Sequence, residues 1–323
     1  MRAQFVLQNA RRINPDIFIT EFFPFGRQDY LPELMPAIEY LKDRGCKIMA
    51  SIGYPCSTDI IDGQKRELAN VRNRLIALYD QLLIHTPAAV ENSFFLRTLP
   101  NKQLKASYQQ FYKTFADKIV YTGYLLPYTS GTTPQRSSMI RKKAGAYTII
   151  VSRGGGAVYP KLITAALQAS GILGDRYRFI ISCGPATSQA EHDLFAAVKK
   201  QHAHRTVILK AHIPDLDFFF RHCDLAVSLC GYNTAVQLLS AGTPGIVVPF
   251  VNPASPLPSN EQTARALLLK DRLDSAVLSY QQLSARSLAD EIRRKCAQPA
   301  GRPELPDDWL NGRADTCRRL FHC

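Results

Sequence analysis

From Asp224 to Leu229 the chain runs as a mostly apolar segment, stops at Gly231-Tyr232-Asn233-Thr234, and takes up helical spacing from about Thr234. A strand that turns through glycine straight into a helix belongs to an open parallel α/β sheet. Such a turn sets backbone N–H groups and a helix N-terminus at the carboxyl end of the strand, where anions bind. Gly245 to Pro249 repeats the strand and releases a Pro-rich loop that ends in Ser-Asn-Glu-Gln at the start of another helix. Two polar helix starts therefore flank one crevice.

A second glycine turn lies upstream. Ser152-Arg153-Gly154-Gly155-Gly156 follows the apolar run from Tyr147 and precedes a helix that starts near Pro160, a favoured first-turn residue. The glycines let backbone approach a ligand, although a plain tight turn has the same composition. The run is neither a Walker loop nor G-x-G-x-x-G, since no Lys-Ser/Thr pair or spaced third glycine follows. At the later turn, Asn233 or Thr234 can cap the helix and leave neighbouring N–H groups for a phosphate. Gln237, in the first turn of that helix, can bond vicinal ribose hydroxyls or can simply face solvent. Glu261 and Gln262 can aim at a sugar, yet Glu261 also suits a helix N-terminus for its charge alone. His212 and Ile213 leave another strand on the same edge and can line a base pocket; a satisfied loop histidine fits equally well.

The order of periodic segments predicts two α/β domains. In the first, helices over 3–12, 30–44 and 64–79 alternate with strands over 16–20, 46–52, 81–85 and 118–121. Residues 126–146, rich in Pro, Ser, Gly, Thr and basic side chains, read as an exposed linker. The second, 147–323, is doubly wound. Its strands run over 147–152, 177–183, 206–209, 224–229, 245–249 and 275–278, with helices from about Pro160, Gln189, Asp217, Thr234, Asn260 and Gln281, and a tail helix over 312–321.

Composition narrows the class. With 323 residues, 46% hydrophobic and 21% charged, the chain can bury two ordinary cores. It has no apolar run of about 18 residues and no secretory leader pattern. Eight scattered cysteines without C-x-x-C pairs or zinc-like spacing suit reduced cytosolic thiols. Residues 1–146 carry 20 basic against 12 acidic side chains and 147–323 carry 20 against 15, so the net +13 is spread over the chain. Without an Arg-rich tract or a nucleic-acid motif, nucleic acid is not an expected partner. An anionic lipid surface or an anionic lipid-linked substrate suits the charge, as does a merely solvated basic surface.

The second half resembles the C-terminal domain of family 28 glycosyltransferases, the group that includes the enzyme adding GlcNAc to lipid I. The whole chain is similar to a predicted bacterial glycosyltransferase branch of that group. The resemblance rests on Pro15 to Ile19 with Glu21 to Arg27, Tyr121 to Tyr124, Val151 to Gly156, Gly231 to Thr234, and Glu261-Gln262 with Arg265-Ala266. It implies a GT-B fold: two Rossmann-like domains facing a cleft, the first (1–125) on the acceptor side and incomplete, the second holding a nucleotide diphosphate sugar, UDP-linked by expectation. By this resemblance Gly154, Gly155, Gly156, Gly231, Asn233 and Thr234 hold the diphosphate, Gln237 the ribose, His212 and Ile213 the base, and Glu261 and Gln262 the sugar. It implies inverting hexosyl transfer to an unknown acceptor, a lipid-linked one included, with no metal or other cofactor, in the cytoplasm or on the inner membrane face.

The sequence departs from the family at two points. Gln237 stands where members carry Glu, which keeps a hydrogen bond but loses a charge. Members also open with a strand, a His-bearing glycine loop and an Arg-bearing helix, and this chain starts after all three. The general base must then come from elsewhere, and Glu21 and His85, both at strand ends, are the candidates. Two other readings stay open: a nucleotide-sugar-binding module needing a partner, and an enzyme like UDP-GlcNAc epimerase.

Overall fold

The computed structural model describes residues 2–25, 27–53, 73–90, 96–99, 102–126, 139–140, 145–156, 158–251, 260–298 and 305–321. The first part of the helix expected from Gln64, most of the expected linker and the Pro-rich loop over 252–259 lie outside the described residues. Contacts divide the chain into two compact units, residues 1–125 with 306–323 and residues 126–305.

In the first unit, α1 (Arg2–Ile13), β1 (Ile17–Glu21), α2 (Leu31–Asp43), β2 (Lys47–Ile52), β3 (Gln81–Ile84), α3 (Lys102–Thr114) and β4 (Ile119–Tyr121) follow in order. The four strands form a parallel sheet in the order β1-β2-β3-β4. The helical spacing read in α2 has its expected consequence: Ile38 and Leu41 are fully buried and pack with Ile48, Ile52, Phe23 and Phe111. The tail departs from expectation, because residues from Pro306 belong to this unit and not to the second. Trp309, 4% exposed, lies edge-on to Tyr124, and its carbonyl accepts from the Tyr124 N–H at 2.7 Å. A Cβ on Gly312 would stand 2.5 Å from the carbonyl oxygens of Gly123 and Tyr124, so only glycine lets the tail approach so closely. A large aromatic that must bury its surface fixes where the tail goes.

The second unit runs β5 (Tyr147–Ser152), α4 (Pro160–Leu173), β6 (Tyr177–Ser182), α5 (Gln189–His202), β7 (Ile208–Lys210), α6 (Leu216–His222), β8 (Leu225–Leu229), α7 (Tyr232–Ala241), β9 (Gly245–Val248), α8 (Asn260–Leu273), β10 (Ala276–Val277) and α9 (Ala285–Cys296). Its six strands are parallel, in the order β10-β9-β8-β5-β6-β7. Strands buried on both faces read as continuous apolar runs. One face, with Ile149, Val151, Val227 and Leu229, packs on Leu162, Leu167, Phe195, Leu288 and Ile292 from α4, α5 and α9. Alternation sends Ile150, Ile180, Ala226 and Val247, all fully buried, to the other face. Helix α9 starts at Ala285, four residues later than expected, because Ser284 caps it and exchanges side-chain bonds with Ser287.

Candidate functional site

Connectivity locates the site in the second unit. From β5 the chain moves outward through β6 and β7, then crosses back to lay β8 on the opposite side of β5. Loops that leave β5 and β8 must therefore part in opposite directions, and such a switch point opens a crevice beyond the strands' carboxyl ends. Ser152 and Ser228 are partners in register there. The Arg153–Gly156 and Cys230–Gly231 turns, singled out from sequence, are the two loops that flank it.

Glycine has different reasons at these positions. Gly154 sits at φ +74°, which an L side chain rarely adopts, and its N–H donates to the Ser152 Oγ at 3.1 Å. Gly155 and Gly231 carry no positive φ, and a Cβ on either would meet nothing within 4 Å. Packing among the described residues does not require glycine at either position. Gly156 is ordinary by comparison, its Cβ position 3.7 Å from the Val158 side chain.

Helix α7 starts two residues earlier than expected, which corrects the capping assignment. Gly231 is the N-cap, at φ −64° and ψ 160° without a side-chain cap, and its carbonyl accepts from the Ala235 N–H at 3.0 Å. Asn233 and Thr234 are thus within the first turn and Gln237 within the second. Gly231 itself supplies no side-chain cap, and the N-terminus of a helix carries partial positive charge. Asn233 is exposed, Thr234 buried and Gln237 half-buried. Asn233 and Gln237, four residues apart, share a helix face.

At the start of α8, the residues expected to meet a sugar make internal bonds. The Gln262 Oε1 accepts from the N–H groups of Cys230 at 3.2 Å and Phe250 at 2.8 Å, tying the exits of β8 and β9 together. Glu261 pairs with Arg265 at 3.1 Å, and the Arg265 Nε donates to the Cys230 carbonyl at 3.0 Å. Both backbone groups of Cys230 are therefore held by α8. Burial pushes the Cys230 thiol up to about 12, so it stays protonated and is no nucleophile. His212 is exposed and Ile213 is buried beyond β7, two strands from β5.

Two supporting residues carry no signal in sequence. Arg153, 1% exposed, turns inward: its Nε donates to the Cys183 carbonyl at 2.5 Å, Nη1 to Glu191 at 2.7 Å, and Nη2 to Thr187 and Glu191, each at 2.9 Å. The guanidinium, with the Ser188 N–H, holds the Glu191 carboxyl well below the usual range, at about 2. Tyr159, in the left-handed region at φ 53°, stacks on Tyr280 at 4.0 Å. Its hydroxyl donates to the Val251 carbonyl and accepts from the Val251 N–H, both at 3.0 Å. The inward course of Arg153 depends on where α5 lies, which no local pattern around the three glycines specifies.

In the first unit, the two base candidates differ. Glu21 ends β1 with its side chain 69% exposed and 3.5 Å from Arg27. His85 follows β3 at 3% exposure, with Nε2 2.9 Å from the Ser51 Oγ and Nδ1 2.7 Å from the Thr122 Oγ1. Burial pushes its pKa down to about 4. With both ring nitrogens engaged, His85 links the ends of β2, β3 and β4.

Residues 148–305 match the model of the glycosyltransferase family 28 C-terminal domain. A UDP-N-acetylglucosamine--N-acetylmuramyl-(pentapeptide) pyrophosphoryl-undecaprenol N-acetylglucosamine transferase from Nitrosomonas eutropha is 30% identical over 177 residues, 54% of this chain and 47% of that protein. The chain thus spans about half the length of this relative. Among solved structures, the glycotransferase of kitacinnamycin superposes with a TM-score of 0.60 at 14% identity, covering 98% of this chain and 79% of the other. A putative UDP-N-acetylglucosamine 2-epimerase from Listeria monocytogenes superposes with a TM-score of 0.57 at 12% identity, covering 99% and 79%. At such identities the structures show the fold, which is of the GT-B class. The second unit, with the glycine turns and switch-point crevice described above, is thus the part of the chain that matches the glycosyltransferase family 28 C-terminal domain.

Proposed function

We propose that the protein transfers a hexosyl group from a UDP-linked sugar to an acceptor hydroxyl, with inversion and without a metal. The observation that carries this reading is the convergence of two glycine turns and the N-terminus of α7, which has glycine at its N-cap, on one switch point. N–H groups fixed there stabilise the diphosphate that leaves as the sugar's C1–O bond breaks, without reorganising during the reaction. The names of the Nitrosomonas relative and the Listeria neighbour both specify a UDP-linked substrate, which favours UDP over other nucleotides. The relative's name also specifies an undecaprenol-linked acceptor, which favours a lipid-linked acceptor, met at a membrane surface, for this protein.

The acceptor hydroxyl must lose its proton as its oxygen attacks C1. Glu21 is assigned that role, because its carboxylate is exposed at a strand's carboxyl end whereas both nitrogens of His85 are occupied. Substitution Glu21→Gln is expected to lower kcat by about 100-fold or more and leave UDP affinity unchanged.

Calorimetric titration with UDP, CDP, GDP and dTDP in EDTA tests the donor site. Preferential UDP binding, weakened at least about tenfold by Gly155→Asp through charge and lost space, is the expected result. A folded sample that binds no nucleotide overturns the reading. Turnover of UDP-GlcNAc without any acceptor product would favour the epimerase-like reading instead.

A further inference from the structure

The side chain of Arg153 leaves a loop that faces open space and runs the other way. Four of its five N–H donors are used on Cys183, Thr187 and Glu191, and its side chain has no exposed surface. A guanidinium so committed has nothing to offer a phosphate. It instead fastens the exit of β5 to the exit of β6 and to the first turn of α5.

The neighbouring contacts close the same bracket. The Thr187 Oγ1, which accepts from Arg153, donates to the Gly184 carbonyl at 2.6 Å. A Cβ on Gly184 would stand 2.5 Å from the Gly154 carbonyl oxygen, so the two turns are in contact at their backbones. On its other side Gly154 is held by its N–H bond to Ser152. The bidentate Arg153–Glu191 pair has the planar geometry that fixes direction as well as distance. Glu191 is itself fixed, closing a capping box with Ser188 at the start of α5.

Three consecutive glycines lose more backbone freedom on ordering than any other sequence of this length, and a ligand that had to order them would bind weakly. We propose that Arg153 is a positioning residue: through Glu191, Thr187 and Cys183 it presets the Gly154–Gly156 turn to receive the donor's diphosphate. This rests on the reading of that turn as the diphosphate site. Arginine is required rather than lysine because one point charge cannot reach Cys183, Thr187 and both Glu191 oxygens together.

The test is a displacement titration of the full chain with UDP and with uridine, which lacks phosphate, using the wild type, Arg153→Lys and Thr187→Ala. Thermal melts confirm that each sample is folded. The expected result is a loss of UDP affinity of about tenfold in Arg153→Lys and about threefold in Thr187→Ala, with uridine affinity unchanged in both. Thr187→Ala keeps the ion pair, so the test survives even where Arg153→Lys does not fold. Equal losses for UDP and uridine, or no loss in either variant, overturn the proposal. A loss in Arg153→Lys with none in Thr187→Ala also overturns it, since that pattern belongs to a direct phosphate contact. A wild type that binds UDP no better than uridine overturns the diphosphate-site reading itself, an outcome distinct from the others.

Discussion

His85 shows how one residue's surroundings set its chemistry. Held between Ser51 and Thr122 and cut off from water, it stays neutral in the folded protein down to about pH 4, while the unfolded chain protonates near the ordinary 6.5. The unfolded state therefore binds more protons across that window. Stability contributed by His85 is complete above pH 6.5 and is lost as pH falls toward 4, to an extent on the order of 3 kcal/mol. Urea denaturation of His85→Gln at pH 4.5 and 7 should show a smaller difference than the wild type does; an equal difference would assign the acid sensitivity to other groups. Its position at a strand end was legible in sequence, but its burial was not, because Ser51 and Thr122 come from neighbouring strands 34 and 37 residues away.

At the scale of elements, α8 acts as a clasp. Gln262 takes N–H groups from the exits of β8 and β9, and Arg265 takes the Cys230 carbonyl, so one helix start fixes the two turns beside it. Gln262→Leu leaves two N–H groups without an acceptor and should cost about 2–4 kcal/mol. Gln262→Glu retains the acceptor oxygen and should melt within a few degrees of the wild type. Tyr159 fastens the β9 exit from the other side, and Tyr159→Phe, which keeps the stacking but loses both bonds to Val251, should cost about 1–2 kcal/mol. The strand runs and most helices were readable from periodicity, but α3 (Lys102–Thr114) was not among the helices expected. The start of α7 lies two residues before the expected one because Asn and Thr are favoured caps, whereas the observed extended backbone puts Gly231 at that position.

Across the whole molecule, the basic excess is a property of both units, with net charge +13. Among the described residues no helix is long and apolar enough to cross a membrane. The basic charge would attract the protein to an anionic lipid surface, a force screened over about 10 Å at 0.1 M salt and about 3 Å at 1 M. Sedimentation with phosphatidylglycerol vesicles should recover the protein at low salt and release it at high salt, with phosphatidylcholine vesicles binding little at either; salt-independent recovery would point to apolar insertion instead. Sequence by itself determined the two parallel α/β sheets, the glycine turns at strand ends and the second unit's likeness to the family 28 C-terminal domain. These follow from local periodicity and from backbone freedom that only glycine supplies. Tertiary structure alone decided which turns share the switch point, that Arg153 and Gln262 serve the loops from within, that His85 is sealed between strands, and that the tail packs on the first unit. Each of these is a contact between residues far apart in the chain, made by strand order and burial, and no local pattern encodes it.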